Sequence, residues 1–597
     1  MDRPWRDTWI WWLPVLAGVT LGAWGGVPVT HPDETTRLAL GLLLGGGLGE
    51  FYNYPALVLW LHAAALWVSS LVTDSPEALF TLSRSLAHGI NLAFTALGIV
   101  ATTGIARSLG LDRRPAGLAG LFLATAPLWA VDSHFLTVDI PAAALTTATL
   151  GYALAHLRRP VAAGWLPAVV LGGLVGLAGA AKYPGALVAV AVLPALWRGA
   201  GGTRAGVARL GLGGLTALAV FLAINPGFLI EPGQAWHGLA AEWQHSRAGH
   251  PGYGTRPALL DVLTRALPFG LNPLLAGAGL GGCLFLMVDR KLTRAARWAT
   301  LAYPVLVLLL VGQSALAFDR YLLPVLPVLA IGAARLVERG LAAPVAIRRH
   351  RLLAALTGVV LLANAGTVAW HNRLMGRTDT RQLLGELWRD DAIRTAVTTL
   401  AVTDYVYDPV HRQVPTVRLF EEAGPVTAPV AVLDGFTLDR LAAWDRPMPW
   451  AWGRLAAGEV LTLSPYRTAR EAVRVSPKSN YSPYPPDLFV RTRPGPYIEL
   501  YVAETAVADQ LAARLARLGV RTDRAPAPSG WFFRQLPVNQ VASPPLTSNL
   551  RACLKTPAGS RERLVVFPIN HVRDVTAFPD SFRPHARSAA CYSRCAR

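Results

Sequence analysis

Thr30-His31-Pro32-Asp33-Glu34 is the first polar stretch after the first apolar run of the chain, and the rest of the sequence is read outward from it. Two adjacent carboxylates at the mouth of a membrane helix are costly unless water, a partner or a substrate meets them. Upstream, Arg3 and Arg6 precede an apolar run within Met1 to Val27 that is long enough to span a bilayer. A signal peptide competes for this pattern, but no small-residue cleavage site follows it. The run therefore reads as an uncleaved first helix with a cytoplasmic N-terminus, which puts His31 to Glu34 outside.

Composition agrees with a polytopic membrane chain. Of 597 residues 52% are hydrophobic and only 16% charged, where soluble proteins carry about a quarter. Mean hydropathy is +0.36. The net charge of +19 would suit nucleic acid. Much of it, however, falls in short clusters between apolar runs: Arg113-Arg114, Arg158-Arg159, Arg290-Lys291 with Arg294 and Arg297, and Arg348-Arg349. That is a positive-inside pattern, and it excludes a nucleic-acid partner.

Further apolar runs predict spans at Ser85–Ala106, Pro115–Val131, Ile140–Leu157, Val161–Ala181, Tyr183–Trp197, Leu210–Ile230, Ala266–Val288, Trp298–Phe318, Tyr321–Ala334 and Leu352–Trp370. Pro55 to Val72 is apolar too, but a crossing there would invert the later loops and turn 107–114 and 158–160 outward. It reads instead as a re-entrant or interfacial segment. About eleven spans result, with every basic loop inside. The fold expectation is thus a mainly α polytopic membrane domain over residues 1–375, followed by an extracytoplasmic α/β domain over 376–597. In the latter, β-type runs (Ala396–Val402, Val430–Leu433, Leu564–Phe567) alternate with helical stretches (Thr380–Leu387, Glu504–Leu518). Cys553, Cys591 and Cys595 allow at most one disulfide among themselves.

With this topology the outward loops hold few charged or titratable residues: Asp33 and Glu34, His134 and Asp139, Lys182, Glu242 with His245 and His250, and Asp319-Arg320-Tyr321. A carboxylate can take the proton of an attacking hydroxyl. Arg and Lys can hold a phosphate leaving group. Each residue has a plainer role as well. Asp139 before Ile140-Pro141 can cap a helix, Lys182 can snorkel, Arg320 can pair with Asp319, and Arg84 can mark a membrane boundary. Trp9, Trp11 and Trp12 read as an interfacial belt.

Four features occur together, in this order: the acidic pair after the first helix, Phe135-Leu136-Thr137-Val138-Asp139-Ile140-Pro141, the Lys182-Tyr183-Pro184 turn, and Arg320-Tyr321-Leu322-Leu323-Pro324. Together they resemble the GT-C superfamily of membrane glycosyltransferases, particularly the protein O-mannosyltransferase family (family 39) and the lipid A aminoarabinose transferase group. The resemblance covers about residues 5–375. It implies inverting transfer of a sugar from a polyprenyl-phosphate carrier to a hydroxyl of a protein, lipid or glycan, on the outer face of the cytoplasmic membrane. Carried over, Asp33 is the base, Glu34 its partner, and Asp139 a second carboxylate of the site. Arg84, Lys182 and Arg320 become candidates for the donor phosphate, with His134, His250 and Tyr321 as further substrate contacts. No metal ligands are assigned; branches of the superfamily differ in metal dependence, which leaves room for a divalent metal beside His31, Asp33 and Glu34.

Two other classes compete. A transporter or lipid flippase would carry ionisable groups near mid-bilayer and repeated halves, and the spans lack the former. An inactive GT-C-like assembly subunit would keep the scaffold while losing dependence on Asp33.

Overall fold

The computed structural model describes residues 8–26, 34–36, 39, 52–158, 164–198, 202–248, 258–315, 318–342, 347–403, 406, 414–418, 428–435, 459–463, 491–493, 495, 497–520 and 522–526. Asp33, His31, His250, the strand expected at Leu564–Phe567 and the three tail cysteines lie outside these residues.

The membrane bundle comprises α1 (Trp9–Ala23), α2 (Leu57–Ser70), α3 (Pro76–Ser108), α4 (Arg113–Thr125), α5 (Pro127–Asp132), α6 (Asp139–Arg158) and α7 (Leu166–Ala181). A 3-10 segment, Tyr183–Val188, leads to α8 (Ala189–Trp197), α9 (Thr203–Ile224), α10 (Gly227–Ile230) and α11 (Pro232–Ala248). Then come α12 (Ala258–Asp261), a π turn (Val262–Ala266), α13 (Leu267–Leu271), α14 (Pro273–Val288) and α15 (Arg294–Gln313). A second 3-10 turn, Asp319–Leu322, precedes α16 (Leu326–Ala342) and α17 (Ile347–Met375).

Among the described residues five helices are long and apolar enough to cross a membrane, or six if one bent pair is counted as a span. The chain is thus a multi-pass membrane protein. The eleven-span expectation also counts shorter apolar helices, such as Trp9–Ala23, Leu166–Ala181 and Tyr183–Trp197. The segment read as re-entrant or interfacial forms α2, whose 14 residues reach only about 21 Å at 1.5 Å each, short of a ~30 Å core.

One expected span differs in shape. Ala266–Val288 is not a continuous helix: Ala258–Leu271 and Pro273–Val288 meet at 110°. Asn272 has φ 97, and Pro273 supplies no amide hydrogen, so the backbone turns there. The Asn272 side chain then accepts from the Leu274 amide at 3.0 Å and starts α14. The later span expected from Tyr321 likewise begins as a 3-10 turn and becomes α-helical only at Leu326.

Lipid gives helices no hydrophobic reason to associate, so close backbone approach matters. On α7, Gly172 and Gly176 face the backbone of Gly213 and Ala217 on α9. On α14, Gly279 and Gly282 face Leu329 and Gly332 on α16.

The end of the bundle carrying the basic loops is locked by Asp289, just past α14. Its carboxylate takes Arg335 at 2.6 Å and Arg339 at 3.1 Å, and accepts from the Lys291 amide at 3.0 Å. Burial alone would push this carboxyl up, but those partners overcome it and hold it at about 2. A depressed carboxyl stabilises the fold fully above its unfolded value of 3.8 and loses that contribution as pH falls through about 2. Asp289→Asn is expected to cost on the order of 1 kcal/mol at pH 7 after solvent screening, with the gap to wild type closing below about pH 4. Thermal unfolding of both proteins across pH checks this; a gap independent of pH would refute it.

Beyond α17, α18 (Thr380–Trp388) opens on a capping box in which Asp379 accepts from the backbone and Gln382 reaches back to the Asp379 amide. After α19 (Asp391–Ala396) comes a sheet of β1 (Leu400–Val402), β2 (Thr416–Arg418), β3 (Val430–Asp434), β4 (Glu459–Leu463) and β5 (Ile498–Val502); after α20 (Thr505–Arg517) it gains β6 (Arg524–Pro526). The order is β2-β1-β3-β5-β4-β6. The β2-β1-β3 side is parallel and the rest antiparallel. Leu384, Trp388, Val432, Leu500, Leu511 and Leu515 share its separate apolar core.

Candidate active site

Asp139, Lys182, Arg320 and Tyr321, four of the residues singled out by sequence, gather at the bundle end that holds the N-terminus of α6, the C-terminus of α7 and the 3-10 turn before α16. Asp139 opens α6 and is almost wholly buried. The loop before it is fixed by Asn91, whose amide donates to Ser133 O at 2.7 Å and Phe135 O at 3.1 Å. Lys182 follows the last residue of α7 with an extended backbone (φ −156), which swings its side chain out of helical register. Its Nζ lies 2.5 Å from Asp139 Oδ1. Arg320 Nε lies 3.5 Å from Asp139 Oδ2, and the Thr137 hydroxyl donates to that same oxygen at 3.1 Å.

Tyr321 completes the group, with Lys182 Nζ 4.5 Å from its ring centroid; Arg320 lies 4.3 Å from the centroid of Phe318. Both cations are therefore held by one carboxylate and by aromatic faces, an arrangement that fixes their direction without neutralising two charges with one.

A clamp that sequence reading missed sits behind Arg320. Arg265 donates to Asp319 at 2.7 and 3.1 Å and to Asp261 at 2.9 and 3.0 Å. It pins the 3-10 turn from which Arg320 projects. The spacing Asp261–Arg265 is a visible i,i+4 pair, but only the fold brings Asp319 to it. Asp132 was missed as well. It is 4% exposed, its Oδ2 has no hydrogen-bond partner among the described residues, and Asp139, Arg320, Asp319 and Lys182 all act on it electrostatically.

The acidic turn makes a second ion pair. Glu34 Oε2 lies 3.2 Å from Arg84 Nη2, and Thr36 donates to the other oxygen. Thr35 ties this turn to the Asp139 loop: its amide and hydroxyl both donate to Leu136 O, at 2.9 and 2.8 Å. The structure thus links Glu34 with Arg84, and Asp139 with Lys182, Arg320 and Tyr321. His134 is placed elsewhere, fully buried, with Nδ1 3.0 Å from Gly26 O and its ring between those of His88 and His371.

Next to Lys182, Tyr183, Phe221 and Phe228 form an aromatic wall with centroids 5.3 to 6.3 Å apart. Tyr52 edges onto Phe228 and donates to Glu231 at 2.9 Å; burial and then that carboxylate push its phenol up to about 12. Among the described residues no group of three or more His, Cys, Asp or Glu is placed to hold a metal ion. Asp139 and Glu34 direct their oxygens at cations and hydroxyls instead.

No family model matches the sequence, and no curated protein matches it. Solved structures do resemble it in fold. An oligosaccharyltransferase from Archaeoglobus fulgidus, tethered to an acceptor peptide containing an NVT sequon, matches with TM-score 0.51 at 14% identity, covering 78% of this chain and 73% of that one. ArnT from Cupriavidus metallidurans bound to undecaprenyl phosphate gives TM-score 0.49 at 15% identity, covering 74% of this chain and 95% of that one.

Proposed function

The chain has the GT-C fold of membrane glycosyltransferases, and on that premise we propose that it transfers a sugar from a polyprenyl-phosphate carrier to a hydroxyl acceptor. The observation that carries the reading is the Lys182–Asp139–Arg320 group, two cations fixed by one buried carboxylate beside an aromatic wall. A phosphate with an apolar tail suits such a site: guanidinium and ammonium meet the oxygens, and rings meet the first isoprene units.

In this reading the acceptor oxygen attacks the anomeric carbon from the face opposite the phosphate. The carbon–oxygen bond to phosphate breaks and its electron pair leaves with the lipid phosphate, so the anomeric configuration inverts. Lys182 and Arg320 stabilise that growing charge. Asp139 has its oxygens committed to Lys182, Arg320 and Thr137, which suits an organiser of cations better than a base. Glu34 is likewise committed to Arg84 and Thr36. Asp33 is left as the base that takes the acceptor proton. The basic loops lie at the opposite end, so the positive-inside pattern favours an extracytoplasmic site in a cytoplasmic membrane.

The test is turnover by the full chain in lipid on a panel of radiolabelled polyprenyl-phosphate sugars, read as free polyprenyl phosphate. Asp33→Asn is expected to lower kcat about 10²- to 10³-fold, in the range for loss of a general base. Turnover untouched by the substitution would remove Asp33 from the role. Failure of every donor to bind would favour the transporter.

A further inference from the structure

A second cluster of cations lies away from the Asp139 group, where the last turn of α17 meets the sheet domain. A cavity of about 120 Å³ is lined there by Trp370, Arg373, Leu374, Arg377, Arg491 and Thr492. Three guanidinium side chains face one small space, and among the described residues no acidic side chain lines it.

Helix chemistry explains only one of them. Arg373 in the final turn of α17 is favoured by the helix dipole. Arg491 comes from the other domain and is only 6% exposed. Its Nη1 donates to Gly495 O at 2.8 Å. Gly495 itself has φ +98 and is pressed against Asp379 and Thr380 so closely that a β-carbon would collide with their side chains. A left-handed glycine at a close approach is thus built into the loop that presents Arg491. From the membrane side, Arg377 Nη1 donates to Thr492 O at 2.6 Å. Arg493 adds a fourth positive group: burial, and then the charge of Arg377, lower its pKa. Several guanidinium groups directed at one small space present many N–H donors that an oxyanion can take together.

We propose that this junction is a binding site for a phosphate group, separate from the sugar-transfer site. Guanidinium forks match tetrahedral oxyanions, and the cavity has room for one with water. Trp370 and Leu374 give the same space an apolar wall where the last membrane helix ends, a depth at which tryptophan sits among headgroups. A phosphomonoester on a lipid meets both halves of the site; free phosphate meets only the arginines. Occupancy bridges α17 and the Arg491 loop and so fastens the sheet domain to the bundle.

The experiment is thermal unfolding of the full chain in detergent, titrated with dihexanoyl phosphatidic acid, inorganic phosphate or dihexanoyl phosphatidylcholine. Saturable stabilisation by the phosphatidic acid is expected, with weaker stabilisation by phosphate and none by the phosphatidylcholine. Equal potency of inorganic phosphate would identify the free anion as the source. Arg373 and Arg377 are exposed, so the Arg373→Gln/Arg377→Gln variant is expected to fold and to bind at least about tenfold more weakly. The Lys182→Met/Arg320→Gln/Asp139→Asn variant, which lacks the cations of the sugar-transfer site, is expected to bind the phosphatidic acid as wild type does, which keeps a failure here distinct from a failure of the sugar-transfer reading. Unchanged affinity in the double variant, or no saturable stabilisation by either phosphate compound, overturns the proposal.

Discussion

A Lys182→Met/Arg320→Gln variant is expected to lose about 10⁴-fold in kcat, since removing one preorganised donor from a developing oxyanion costs roughly 10²–10³ and both cations address one phosphate. The loss falls at the low end of the product of two single effects because groups acting as a unit are not additive. A complication is built into the geometry. Asp139 is buried, and stripping both partners leaves its charge uncompensated, a change that costs roughly 3–5 kcal/mol. Inactivity of the double variant could then come from poor folding. Adding Asp139→Asn removes the stranded charge, so the triple variant is expected to regain the elution profile and thermal stability of wild type while staying inactive. A folded triple variant retaining turnover within about tenfold of wild type would detach these cations from the reaction.

Gly282→Leu is expected to be the most damaging single change to the fold. A β-carbon at Gly282 would run into the carbonyl and Cα of Gly332, which is backbone and cannot swing aside. The reverse holds as well: a β-carbon on Gly332 would meet the Gly279 carbonyl and the backbone of Cys283. Separating α14 from α16 to admit a side chain would open the packing along both helices. The expected cost exceeds about 4 kcal/mol, at the extreme of single substitutions. At Gly281, one residue earlier, a β-carbon would meet nothing within 4 Å, and Gly281→Leu is expected to be neutral to about 0.5 kcal/mol. Yield and melting temperature of the two variants side by side check the pair; equal behaviour would refute the close approach.

Much of the architecture could be read from the chain because apolar runs and polar interruptions carry different chemistry. Asp139, Lys182 and Arg320 stand out in sequence as charged residues at the edges of apolar runs, and the fold brings them within ion-pair distance. Val430–Leu433 reads as a strand from its β-branched run, and the strand is Val430–Asp434. The helix read over Glu504–Leu518 forms as Thr505–Arg517. What the sequence could not disclose depends on partners distant in the chain. Arg265 looks like a surface helix charge until Asp319 is placed beside it, and Asp132 looks like a helix end until its surroundings are known. The bend at Asn272 was hidden because Asn-Pro inside an apolar run is tolerated by membrane helices in several ways. The order β2-β1-β3-β5-β4-β6 follows from crossovers that local patterning does not encode.

The carbonyls at the end of the first helix have a consequence for how the protein is made. An α-helix leaves its last carbonyls without partners, and here side chains from far along the chain supply them. His88 Nε2 lies 3.0 Å from Gly22 O, and the Asn372 amide donates to Leu21 O at 2.6 Å across a separation of 351 residues. At roughly 5–20 residues per second of translation, the ribosome reaches Asn372 some tens of seconds after the first helix has emerged. Until then that helix end must borrow other partners, water or the insertion machinery among them. The bundle is thus latched by α17, the last of its described membrane helices, and a nascent chain halted before Asn372 would hold its first helix by an unfinished closure.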